Sequence, residues 1–182
     1  MNNNKLRDHV GRILHESAIR SFSFSLQGAN VNGPELAEIG RQVLKGSIAV
    51  RVDASLESSG EFDYLSNTLF FKSDNPDRGT ILHESIHALL HHHKCTKTTD
   101  ITHEVAAYLA EVIYYLREGL IRRERFQKSF TLGSTQSIYQ EAIRLIDKHQ
   151  ILRKSVYLKW GDYQGLRNAI KAHPTYIKPQ WQ

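Results

Sequence analysis

His83, Glu84 and His87 stand in the order His-Glu-Ser-Ile-His. A spacing of four places two imidazoles on one face of a helix, one turn apart. From there both can reach a single ion at about 2.0–2.1 Å. Glu84 lies about 100° further round the helix, where it can touch a water on that ion without becoming a ligand. Two neutral nitrogen ligands and a carboxylate base beside an activated water form a hydrolytic arrangement. With 10 His and 11 Glu in 182 residues, composition alone would produce this pattern about 0.03 times.

A hydrolytic zinc site takes three protein ligands and leaves the fourth position to water. His93 follows His83 by ten residues, a spacing known from longer zinc motifs, but those place Gly where this chain has Leu90. Leu90 favours continuing the helix, which would turn His93 into the apolar stripe. His91 is about 12 Å along the axis from His83 and cannot share an ion with it and His87. The following segment offers more. Glu104, Tyr108, Glu111 and Tyr115 recur at i, i+4, i+7 and i+11, a stripe within about 60° of arc. A short connection between two such helices makes them antiparallel neighbours. If the turn centres near residue 96, Glu104 meets His87 at similar depth, with Glu111 the alternative ligand deeper along the pair. Tyr108, on the ligand stripe, and His103 beside it are the candidate donors to a developing oxyanion.

The segments TILHESIHALLH (80–91) and THEVAAYLAE (102–111) resemble the gluzincin branch of the zincin metallopeptidases, in which His-Glu-x-x-His on one helix is completed by Glu on a later one. The resemblance covers roughly residues 47–117. It implies one Zn2+ per chain held by His83, His87 and Glu104, with Glu84 as general base in peptide-bond hydrolysis. The larger members of the branch carry Asp four residues after that Glu, where this chain has Tyr108. The chain is closer to the minimal zincins, which carry the core alone.

These residues need a helix pair and a sheet to hold them. Asn75-Pro76-Asp77 introduces a helix running to about His93, along which Leu82, Ile86, Leu89 and Leu90 form an apolar stripe beside the His pair. Asp100 to Arg117 reads as the next helix, closed by Gly119. Ahead of them, Ile48, Val50 and Val52 alternate as in a strand, and residues 61–72 read as a hairpin turning at Ser66-Asn67. Residues 5–20, a stretch from Pro34 to Gly46, 134–149 and about 161–172 read as further helices. Strands gathered between helices predict an α+β class, a small antiparallel or mixed sheet against the motif helix. We expect one domain over 1–182, with a catalytic core at about 47–117 and a helical part at about 134–173.

Composition narrows the rest. The chain shows no apolar signal-like start and no stretch of 18 apolar residues, which predicts a cytoplasmic protein without a membrane span. Cys95 is the one cysteine, so neither an internal disulfide nor a Cys-based metal site is expected. Residues 1–111 carry 11 Lys/Arg against 14 Asp/Glu, and residues 112–182 carry 13 against 5. The basic half suits solvated helix faces, or an acidic partner such as nucleic acid, although Arg122-Arg123-Glu124-Arg125 lacks interleaved aromatics. A peptide or protein substrate is the expected partner. Serine-nucleophile elbows, phosphate-binding loops and dinucleotide fingerprints are missing.

Overall fold

A computed structural model describes residues 3–21, 23–94, 100–120 and 135–177. Among them the fold is α+β. Helices α1 (Asn3–Ile13) and α2 (Ser17–Arg20) precede strands β1 (Ser23–Leu26) and β2 (Ala29–Asn32), then α3 (Gly33–Lys45). Strands β3 (Ala49–Val52), β4 (Gly60–Asp63) and β5 (Thr68–Phe71) follow, then α4 (Arg78–His92) and α5 (Asp100–Arg117). The last described elements are α6 (Thr135–His149), β6 (Val156–Tyr157), α7 (Gln164–Lys171) and α8 (Pro174–Ile177).

Local chemistry explains most boundaries. Asn32 caps α3 by accepting the Glu35 backbone N–H at 3.0 Å, Pro34 lies in the first turn, and Gly46 closes the helix in the left-handed region. Asp77 caps α4 by accepting from the Thr80 backbone N–H at 3.0 Å. The hairpin turns over residues 64–67, where Asp63 accepts from the Leu65 N–H at 3.0 Å and Asn67 has φ 49°.

The two sheets are small and mixed. In one, β1 pairs antiparallel with β2 and parallel with β6. In the other, central β5 pairs parallel with β3 and antiparallel with β4, leaving β4 at an edge. A single apolar cluster joins both sheets to the helices, and α4 and α5 pack on each other through it, with Leu82, Ile86, Val105 and Leu109 fully buried.

Some expectations need correction. The helix expected over 5–20 breaks after Ile13, because Glu16 leaves the helix line to accept from the Tyr114 hydroxyl at 2.8 Å and pair with Arg78 at 3.3 Å. Val52 is 40% exposed, so the buried alternation of β3 stops at Val50. Helix α4 ends at His92, and His93 is exposed beside Glu35 at 3.5 Å rather than turned into the apolar stripe. Strands β1, β2 and β6 were not foreseen. Cys95, most of the connection between α4 and α5, and the Arg122–Arg125 cluster lie outside the described residues. No described helix is long and apolar enough to cross a membrane.

Candidate metal centre and cleft

The start of α4 is fixed against α5. Asp77, the cap, also accepts from the Tyr115 hydroxyl at 2.9 Å. Next to it, Gly79 permits the two helices to approach: a Cβ there would lie 1.9 Å from the Tyr115 oxygen and 3.0 Å from Glu111 Oε1. With Leu82, Ile86, Leu89 and Leu90 buried on the core side, the face carrying His83 and His87 is presented to α5.

On that face His83 Nε2 lies 3.4 Å from one Glu104 oxygen, and His87 Nε2 lies 3.5 Å from the other. One nitrogen or oxygen from each of the three residues falls within 4.8 Å of the others. Ligands at about 2.0–2.1 Å from a tetrahedral ion stand about 3.3–3.4 Å apart. The His–Glu separations, each to a different Glu104 oxygen, are of that size, so one carboxylate stands within an ion's span of both imidazoles. Two imidazoles and one carboxylate are also a donor set that zinc accepts with its fourth position open. The expected triad His83, His87 and Glu104 is thus brought together.

Glu111 is brought in too, in another role. Its Oε2 accepts from the outward nitrogen of His83, Nδ1, at 3.3 Å, while its Oε1 accepts from the Tyr139 hydroxyl at 2.5 Å. A carboxylate behind a ligating histidine fixes the ring and its tautomer. Tyr108 packs edge-on against His83, ring centres 4.7 Å apart. Its hydroxyl stands 3.4 Å from that of Tyr176, which donates to Glu104 at 2.6 Å. His103 does not line the cleft. His91 lies outside the triad, with Phe62 and Tyr64 as its ring neighbours at 5.8 and 6.0 Å. Tyr139 and Tyr176 were missed from sequence; they come from α6 and α8, and no spacing ties them to the motif.

Glu84 is 8% exposed and, among the described residues, makes no hydrogen bond or ion pair. Strand β4 passes directly over it: a Cβ on Gly60 would lie 2.9 Å from Glu84 Cγ and 2.9 Å from Thr80 Cγ2. Only glycine lets the edge strand come so close. Burial raises the Glu84 carboxyl to about 7, although His83 draws it down. Burial lowers His87 to about 4. For His83 burial acts in the same direction, but hydrogen bonds to Glu104 and Glu111 outweigh it and hold the ring well above its usual value. Glu104 falls to about 2 because His87 and His83 overcome the opposing effect of its burial. Burial thus favours the neutral ring at His87, while the surrounding carboxylates favour the protonated ring at His83 and the two rings favour the ionised form of Glu104.

The triad lies at the bottom of an open cleft of about 490 Å³, walled by Ser58–Phe62 on one side and by Thr135, Tyr139, Thr175 and Tyr176 on the other. No family model, curated protein or solved structure matches the chain.

Proposed function

We propose that the chain is a zinc-dependent hydrolase that cleaves peptide bonds. The observation that carries the reading is one arrangement. The Glu104 carboxylate lies 3.4 Å from His83 and 3.5 Å from His87, and a buried carboxylate without a hydrogen bond or ion pair among the described residues, Glu84, sits beside them in a cleft bordered by an edge strand. The same three donors would also suit non-haem iron(II); Glu84 beside them favours zinc and hydrolysis.

Zinc bound by His83, His87 and Glu104 would act as a Lewis acid toward the carbonyl and make water acidic near neutral pH. Glu84, with its carboxyl near 7, is suited both to accept the proton of the attacking water and to return it to the leaving amine. Glu111 holds His83 by its outer nitrogen, and Tyr176 holds Glu104 by one oxygen. The Tyr108 hydroxyl, which lines the cleft 3.4 Å from that of Tyr176, is the donor offered to negative charge developing on the carbonyl oxygen. Among the described residues strand β4 has one side unpaired, so an extended peptide can add to it as a further strand. The close approach at Gly60 would bring that peptide over Glu84.

The test is metal content with turnover. Purified protein should hold about one zinc per chain, and His83→Ala or Glu104→Ala should lose it. Glu84→Gln should keep the metal and lose about 10²–10⁴-fold in hydrolysis of a denatured protein or peptide mixture. Hydrolysis by Glu84→Gln at the parental rate would remove Glu84 as base. Zinc retention without any turnover by the parent would instead point to a metal-holding binding module.

A further inference from the structure

Among the described residues, none that lines the cleft is Lys or Arg, although the chain has 24 of them and a formal charge of +5. Four of the lining residues are glutamates: Glu61, Glu84, Glu104 and Glu111. Glu104 and Glu111 are committed to the histidines and tyrosines described above. Glu61 is not committed to anything. It is exposed, stands on the edge strand opposite Phe70, and makes no hydrogen bond or ion pair among the described residues.

The charge does not vanish when the site is loaded. Four carboxylates give −4, a divalent ion adds +2, and the balance is −2. Buried Glu84 lines the same cleft and has only the His83 ring, a prospective ion ligand, as a cationic neighbour. The opposite wall adds aromatic faces from Tyr108, Tyr139 and Tyr176, with Phe62 on the β4 side. Carboxylates with aromatic rings are the surroundings in which a guanidinium or ammonium group is held, by charge and by the ring faces together. An acidic side chain in the same cleft would meet uncompensated repulsion.

We propose that the substrate is a basic peptide, with an Arg or Lys side chain adjoining the scissile bond, and that Glu61 is the residue that selects it. The proposal rests on the reading that the cleft takes an extended peptide; it does not require that the peptide be cut. Glu61 lies on the strand the peptide would pair with, at the rim, where a long flexible cationic side chain can reach it while the peptide backbone stays over Glu84.

Zinc-loaded Glu84→Gln protein allows binding to be measured without turnover. The probes are fluorescent, end-blocked hexapeptides identical except for Arg, Gln or Glu at one central position, titrated by anisotropy at low and high salt. The Arg peptide should bind about tenfold more tightly than the Gln peptide, and the Glu peptide more weakly than either. High salt should reduce the Arg preference to about two- to threefold, because the rim is open to screening ions. Adding Glu61→Gln should remove roughly threefold of the preference, and Glu61→Lys should remove more. Equal binding of the Arg and Gln peptides, or no binding of either, overturns the proposal. A preference untouched by both Glu61 substitutions overturns the part assigned to Glu61. Turnover by the parent protein separates the two readings. A binding preference without turnover removes the hydrolase and leaves the basic-peptide site. Turnover without a preference does the reverse.

Discussion

Replacing Glu111 with glutamine keeps the shape of the side chain and removes its charge. Glu111 is 6% exposed, accepts from His83 Nδ1 at 3.3 Å and accepts from Tyr139 at 2.5 Å. The glutamine oxygen can still face His83, and the Tyr139 hydroxyl can rotate to accept from the new amide, so the fold should be retained. Two effects then act on zinc affinity with opposite signs. Loss of the carboxylate makes His83 a poorer ligand, and such partners behind a ligand are worth about 10–100-fold in affinity, or about 1.4–2.7 kcal/mol. The same change weakens the hold of His83 on its own proton, because Glu111 is, with Glu104 and Glu84, one of the three carboxylates that raise it. Zinc entering the parent site would have to displace that proton. Apparent affinity should therefore rise by about tenfold per pH unit until the His83 value is passed. In Glu111→Gln this rise should end at a lower pH. Competition for zinc against a chromophoric chelator, measured from pH 6 to 9, reads both effects. The variant should be weaker by about 10–100-fold at the alkaline end and by less at pH 6. Parental affinity together with the parental pH dependence would refute the role given to Glu111.

Two further outcomes follow from the same surroundings. Gly60→Ala would place a methyl 2.9 Å from Glu84 Cγ and Thr80 Cγ2; it should cost about 1–3 kcal/mol in thermal or denaturant unfolding, keep full zinc content, and lower kcat by more than the stability loss accounts for. In metal-free protein, Glu84 has a folded value near 7 against an ordinary 4.5. A raised carboxyl means that the folded state resists ionisation. Stability is then fully present below about 4.5 and is lost as pH rises through 7, by roughly 3 kcal/mol. The gap in unfolding free energy between pH 5 and pH 8 should accordingly shrink in Glu84→Gln; an unchanged gap would contradict the burial of this carboxyl.

Much of the site was legible because its parts are local. Helix α5 has the bounds expected from Asp100 and Arg117. The cap at Asp77 sets the start of α4, and the stripe Glu104, Tyr108, Glu111 and Tyr115 faces α4 as its periodicity requires. The depth argument that paired Glu104 with His87 agrees with the 3.5 Å separation. Glu111 was placed correctly on the stripe but assigned no role behind His83, since spacing gives a residue's face and not its hydrogen-bond partner. Tyr139 and Tyr176 were illegible because their positions depend on how α6 and α8 pack. Strands β1 and β2 are only four residues each, too short for a firm period, although Phe24, Leu26, Ala29 and Val31 alternate on either side of Gly28, which takes φ 83°. Two-residue β6 carries no periodicity at all.

The three triad residues fall between positions 83 and 104, a span of 22 residues on two adjacent helices. Closing a loop of that size costs about 3 kcal/mol in chain entropy, far less than a divalent ion returns when three side chains grip it. An ion captured early would staple α4 to α5 while the rest of the polypeptide is still searching, and the tyrosines of α6 and α8 would dock onto a pair already joined. Ion supply would then govern how fast this protein folds, and refolding with a chelator present should be slow even where the final metal-free state is stable.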